Sequence, residues 1–95
     1  MKVRVKLWGT LSEILPAFEG KGEVQVDFNG DKVEELIFHL FSEIDPEKKG
    51  IVFDDKGEIS PDLNIILNGR IVSESNRFNR HLRGGDFIEL ILGSG

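Results

Sequence analysis

The 95 residues predict an α+β domain, a mixed sheet of about four to five strands with one main helix packed across it. Three observations lead there. "KVRVKLW" and "EVQVDF" alternate apolar and polar residues with the period of half-buried strands. One apolar stripe at helical spacing lies between Val33 and Ile44. A second set of extended, strand-like runs, "LNIILNGRIV" and "FIELIL", follows that helix and closes the chain.

Each element has its own signal. In the first strand Val3, Val5 and Leu7 share one face, and Lys2, Arg4, Lys6 and Trp8 the other. Val24, Val26 and Phe28 repeat the pattern in the second. The connection "GTLSEILPAFEGKG" carries turn residues and a short apolar patch, so it predicts an antiparallel pair joined by a long link. Asn29-Gly30 breaks the second strand, Asp31 is placed to cap the helix, and Glu34, three residues on, to reach back to the cap. Val33, Leu36, Ile37, Leu40, Phe41 and Ile44 then form the stripe, and Pro46 ends it by pushing Asp45 out of helical geometry. Short extended pieces are expected around Ile51 to Phe53 and Ile59, joined by a turn at "DDKG", 54–57. "LNIILNG" reads as a strand ending in the Asn68-Gly69 tight turn, with "RIV" returning. "SESNRFNRHL" is irregular, and "RGGD" turns into the last strand. Glu89, the charged residue of "FIELIL", faces solvent with Phe87 and Ile91, which sends Ile88, Leu90 and Leu92 into the core. A small ubiquitin-like β-grasp is the simplest arrangement of these elements: one domain over 1–92, with a flexible tail at 93–95.

Composition narrows the function. With 39% hydrophobic and 31% charged residues the chain is globular. No apolar run approaches the roughly 18 residues of a membrane span, and "MKVRVKLWGT" alternates where a signal peptide would have an apolar block. A cytoplasmic protein without membrane contact is expected. The absence of cysteine excludes disulfides, thiolate metal sites and a thiol nucleophile. Net charge is −5, so a polyanion is repelled overall and nucleic acid is not an expected partner. The charge is also uneven: residues 31–62 hold ten acidic and four basic side chains, whereas Arg70, Arg77, Arg80 and Arg83 stand against Glu74 alone in 70–83.

No catalytic constellation is legible. Nothing pairs the serines with His39, at the edge of the helical stripe, or with His81, in the arginine-bearing loop. Glu34-Glu35 and Asp54-Asp55 read most simply as a solvated helix face and a turn, and no metal site is assigned. The expected features are an outer apolar patch of Trp8, Phe87 and Ile91, marking a contact surface unless segment 46–62 folds back over it, and a basic strip of Arg70, Arg77, Arg80 and Arg83 close to the tail that would steer docking on an acidic partner.

"MKVRVKLWGTLSEIL", the helix, "FDDKGEISPDLNIILNGR" and "LRGGDFIEL" ahead of the tail together resemble the ThiS/MoaD family of sulfur-carrier proteins, which includes the small subunit of molybdopterin synthase. Their order and spacing cover nearly the whole chain. The resemblance implies a carrier, not an enzyme. In that family an E1-like adenylyltransferase uses ATP to adenylate the C-terminal glycine carboxylate, which becomes a thiocarboxylate and donates its sulfur inside a second enzyme. On this chain the reactive residue is then Gly95, with Gly93 and Ser94 as its tail. No cofactor is bound by the chain itself, and the expected partners are the E1-like enzyme and the large subunit of molybdopterin synthase or another sulfur-accepting enzyme. Gly-Ser-Gly stands where the family has Gly-Gly, and the tail is shorter by roughly 7 Å of reach. A terminal residue without a Cβ suits a carboxylate that must thread a narrow channel. Thiamine thiazole synthesis, tRNA thiolation and protein conjugation remain open as destinations. So does a ubiquitin-like binding module that performs no carboxyl chemistry.

Overall fold

In the computed structural model, which describes residues 1–72 and 80–93, a five-stranded sheet runs in the order β2-β1-β5-β3-β4. The strands are β1 (Lys2–Leu7), β2 (Val24–Asp27), β3 (Leu63–Leu67), β4 (Arg70–Val72) and β5 (Phe87–Leu92). β1 and β2 pair antiparallel, Val3 opposite Val26. β1 and β5 pair parallel, Val5 opposite Ile88 and Leu7 opposite Leu90. β3 is antiparallel to both β5 and β4. The mixed sheet of five strands and the β-grasp architecture are those the sequence predicts; the strand order comes from the structure.

Between β3 and β4 the chain reverses at Asn68 and Gly69, whose φ angles of 49° and 84° are both positive. Asparagine and glycine tolerate that geometry, which a two-residue hairpin turn of this hand requires. The turn is locked to the neighbouring strand. Asn68 N–H donates to the Phe87 carbonyl, and the Asn68 Oδ1 accepts the Phe87 N–H at 2.9 Å.

The long link between β1 and β2 holds a single-turn helix α1 (Leu11–Ile14) and a 3-10 turn, Pro16–Phe18, that bury Leu11, Ile14 and Phe18. Helix α2 (Val33–Phe41) buries Val33, Leu36, Ile37 and Phe41 against the inner faces of the sheet. Its start differs from expectation by one residue. Lys32 is the N-cap, and Glu35, not Glu34, reaches back to the Lys32 N–H at 3.0 Å. Asp31 is drawn away to His81 Nδ1 at 3.0 Å. The strand-like contact of 80–82 fixes that choice, because Val33 N–H donates to the Arg80 carbonyl and Leu82 N–H to the Asp31 carbonyl. Of the predicted irregular loop, 73–79 lies outside the described residues.

The helix also ends earlier than predicted. α2 stops at Phe41 with Ser42 as C-cap, Leu40 is half-buried, and Ile44 is buried in the turn beyond. Pro46 does not terminate a helix; it opens α3 (Pro46–Val52) at the first turn, where its missing N–H costs nothing. Ile51 and Val52 are therefore helical, not extended, and extended pairing survives only at the Phe53–Ile59 bridge. The "DDKG" turn forms as expected: Asp54 N–H donates to the Glu58 carbonyl, and the Asp54 carboxylate accepts the Lys56 and Glu58 N–H groups at 2.9 Å.

One core results. Val3, Val5, Leu36, Ile37, Phe41, Ile65, Ile88 and Leu90 are fully buried in it, and half-buried Leu92 packs against its edge. No helix among the described residues is long and apolar enough to cross a membrane. Replacing Ile37 by alanine should cost roughly 2–5 kcal/mol of unfolding free energy. The same change at Ile71, 75% exposed on β4, should stay within about 0.5 kcal/mol; urea unfolding of the two variants checks the assigned faces.

Candidate functional site: the C-terminal strand and its outer face

β5 is a central strand, and its parallel partner β1 carries the chain's N-terminal sequence. Alternation puts Phe87, Glu89 and Ile91 on the outer face, opposite Arg4 and Lys6 of β1 and Asn64 and Ile66 of β3. Trp8 continues the β1 row, its N–H donating to the Leu90 carbonyl at 3.0 Å. Trp8 and Ile91 are 41% and 37% exposed, while Phe87 and Ile66 are half-buried. Segment 46–62 does not fold over Trp8 or Ile91.

The indole is held from two sides. Trp8 Nε1 donates to Glu89 Oε2 at 3.0 Å, and the Lys6 ammonium sits 3.9 Å from the ring centroid. The Arg4 guanidinium lies over the Phe87 ring at 4.8 Å. Aromatic groups fixed in this way lose little rotamer freedom when a partner covers them. Glu89, read from sequence only as a solvent-facing carboxylate, is thus a structural member of the patch. The parallel register of β1 with β5 decides this, and local pattern does not contain it.

The tail leaves from the same end of β5. Gly93 still belongs to the sheet's edge: its N–H donates to the Asp62 carbonyl at 2.7 Å. The predicted free tail at 93–95 therefore has its first residue pinned, while Ser94 and Gly95 lie outside the described residues. The anchor is itself braced. Asp62 N–H donates to the Ser60 hydroxyl, and Leu63 N–H to the Ser60 carbonyl.

Arg80 and Arg83 are exposed but lie elsewhere. Arg83 is in the turn that enters β5, where its N–H donates to Asp86 Oδ2 and the Gly85 N–H donates to the Lys2 carbonyl. Arg80 is at the N-terminus of α2, through its carbonyl's bond to Val33. At about 3.3 Å per residue, the six residues of β5 separate these arginines from the tail exit by roughly 17–20 Å. The predicted basic strip is thus not beside the tail; the cations nearest the indole and Phe87 are Lys6 and Arg4. Arg77 lies outside the described residues.

Chemistry-bearing groups do not converge. Among the described residues no set of three His, Cys, Asp or Glu side chains is grouped to hold a metal ion. His39 is exposed beside the Phe28 ring, with centroids 5.7 Å apart, and exposed His81 contacts Asp31. Among the described residues neither imidazole bonds a serine hydroxyl; the Ser42 hydroxyl donates to the His39 backbone carbonyl at 3.2 Å.

These features define a ubiquitin-like β-grasp protein with exposed Trp8 and Ile91 beside the end of its last strand. The comparisons agree. A curated relative from Archaeoglobus fulgidus, provisionally named a sulfur carrier protein, is 30% identical over 77 residues, covering 81% of this chain and 86% of its own. Small archaeal modifier protein 1 of Haloferax volcanii is 26% identical with a TM-score of 0.74, covering 98% of both chains. A Pyrococcus furiosus protein provisionally named molybdopterin converting factor subunit 1 is 26% identical with a TM-score of 0.69 over 99% of both chains. Urm1 of Trypanosoma brucei, at 16% identity and a TM-score of 0.75, shares the fold. No protein-family model matches the chain. The chain belongs to the ThiS/MoaD-like family of ubiquitin-like sulfur carriers, whose members compared above are named as a carrier, a modifier and a converting-factor subunit.

Trp8 is the chain's sole tryptophan, so its surroundings can be read directly. Acrylamide should quench native Trp8 fluorescence readily, and Glu89→Ala should raise the quenching rate further by releasing the indole. A native tryptophan protected from quencher would contradict the exposed placement.

Proposed function

We propose that this protein carries sulfur as a C-terminal thiocarboxylate. The Gly95 carboxylate attacks the α-phosphate of ATP within an E1-like partner, releasing pyrophosphate. The terminal sulfur of a persulfide on the partner then displaces AMP to give an acyl disulfide, and a second thiol cleaves that bond, leaving the thiocarboxylate and a disulfide between the two partner sulfurs. The carried sulfur is next donated in a second enzyme, and the molybdopterin synthase large subunit is the acceptor we favour. The observation that carries the reading is positional. β5 runs through the centre of the sheet and delivers Gly93, held to the Asp62 carbonyl, beside the Trp8 and Ile91 surface. Membership of the carrier family supports the chemistry, and the likeness to a molybdopterin converting factor subunit supports the destination.

The chain's own groups supply no acid, base or nucleophile in this scheme beyond the carboxylate. Their work is to present it. Sheet pairing fixes the direction of the tail up to Gly93, after which Ser94 passes a channel in extended geometry, where its Cβ is tolerated. A partner that covers Trp8, Phe87 and Ile91 positions the carboxylate by anchoring the domain next to it. Arg80 and Arg83, distant from the tail, act on this reading through long-range attraction to an acidic partner rather than through the docked contact.

A second reading has its own observation, the likeness to a small archaeal modifier protein. There the activated Gly95 carboxyl is passed to a lysine amine, forming an isopeptide bond. Both readings require the same adenylate and diverge at the acceptor.

Incubation with the host's E1-like enzyme, ATP and a persulfide donor should yield a species heavier by one oxygen-to-sulfur exchange. The change should map to Gly95 and be lost when Gly95 is deleted. An unmodified carboxylate in a protein that still captures its partner would favour the binding-module alternative. Higher-mass lysine adducts in host extract would favour the modifier reading.

Partner binding has a separate expectation. Trp8→Ala should weaken binding of the E1-like enzyme by about tenfold or more with little change in melting temperature. Charge reversal at Arg80 and Arg83 should slow association at low salt and leave it nearly unchanged at high salt. Stopped-flow association at two ionic strengths separates the two effects.

A further inference from the structure

A second unpartnered surface lies on the helical side of the domain, across the core from Trp8. Phe38 belongs to α2 but points away from the sheet; it is 41% exposed and stacks on half-buried Phe53, with ring centroids 5.2 Å apart and planes 9° from parallel. The two rings form the wall of an open groove of about 780 Å³ between α2 and the 49–57 segment, with Gly50 and Gly57 leaving its far side low. Its charged lining is Asp54, Asp55 and Lys49. Among the described residues neither aspartate makes an ion pair. The surrounding 31–62 segment holds ten acidic against four basic side chains, so the field over the groove is negative.

We propose that this groove docks a cationic amphipathic segment of a partner protein, one large apolar side chain seating on the Phe38 and Phe53 rings while flanking Lys or Arg groups face Asp54 and Asp55. The apolar wall and the acidic rim each specify half of that ligand. An acidic or purely polar segment satisfies neither, and a groove open along one side suits a peptide better than an enclosed small molecule. The outer sheet face is mixed in charge instead: Arg4 and Lys6 border its apolar groups together with Glu89, and Arg4 pairs with Glu23 at 3.8 Å. The two faces lie on opposite sides of the core, so both can be occupied together. This inference rests on the groove alone and stands whether or not Gly95 is activated.

The probe is a synthetic twelve-residue peptide with leucine and phenylalanine at helical spacing among lysines, titrated into the isotopically labelled full chain and followed by amide chemical shifts. Two control peptides keep the length: one replaces the apolar residues by serine, the other the lysines by glutamate. Shifts confined to Phe38, Ser42, Gly50, Phe53 and Gly57 are expected, and either control should weaken binding about tenfold. Phe38→Ser should abolish the shifts, and Asp55→Lys, a surface change that spares the fold, should weaken binding in parallel. Shifts centred on Lys6, Trp8 and Ile91, equal binding of the glutamate peptide, or no binding at millimolar peptide would overturn the proposal. So would concentration-dependent shifts at both faces without peptide, which would make a second copy of this chain the occupant.

Discussion

The parallel pairing of β1 with β5 is the constraint from which most of the structure follows. It puts the first and last strands side by side in the middle of the sheet, with Val5 against Ile88 and Leu7 against Leu90 inside. Side chains on adjacent parallel strands share a face only in one register, and a slip of one residue would invert all of them. The same register that buries these four residues stands Arg4 by Phe87 and Lys6 by Glu89 outside. Core and contact face are two sides of one pairing. Buried aliphatic area on the inside, at roughly 25 cal/mol per Å², holds in place an outer arrangement whose own bonds are solvent-exposed and individually weak.

Parallel strands cannot be joined by a tight turn, so everything between β1 and β5 has to serve as the crossover. The chain uses that length well. α2 covers the inner face, α3 and the 54–57 turn extend the helical layer, and β3 with β4 closes the far side of β5. Because β3 is antiparallel to β5, the residues just before β3 lie next to the end of β5, and Asp62 can hold Gly93. Gly93, which follows the central strand, is thereby tied to the sheet by a backbone bond that any residue but proline could make. A Cβ at 93 would meet the end of the Asn64 side chain, which would have to swing aside.

The division of charge has a structural meaning that composition alone does not reveal. A net charge of −5 describes neither face. The outer face brings Arg4 and Lys6 over aromatic rings, whereas the acidic segment 31–62 occupies the helical layer. Surfaces so different in charge present different chemistry to whatever approaches them.

Much of this was legible in the sequence because strands and helices advertise their period locally. β1, β2, β5, the Asn68-Gly69 turn and the buried stripe of α2 all follow from alternation, helical spacing or turn chemistry within a few residues. The family resemblance rested on those same stretches. What failed were the places where a distant segment competes with a local signal. Asp31 is a sound capping residue in isolation, but His81 and Leu82 engage its side chain and carbonyl, so the cap moves to Lys32 and Glu35. Pro46 signals a helix boundary without saying whether a helix ends or begins there. Trp8 and Ile91 could be assigned to an outer face from alternation; that the indole is pinned by Glu89 and Lys6 could not. The separation of Arg83 from the tail, by contrast, follows from the length of β5 alone, because a residue entering a six-residue strand lies at the end opposite its exit. The sequence by itself determined which side chains point inward, because burial follows a period of two or 3.6 along the chain. Only the tertiary structure decided which outward side chains meet, because that depends on strand register and on contacts between segments dozens of residues apart.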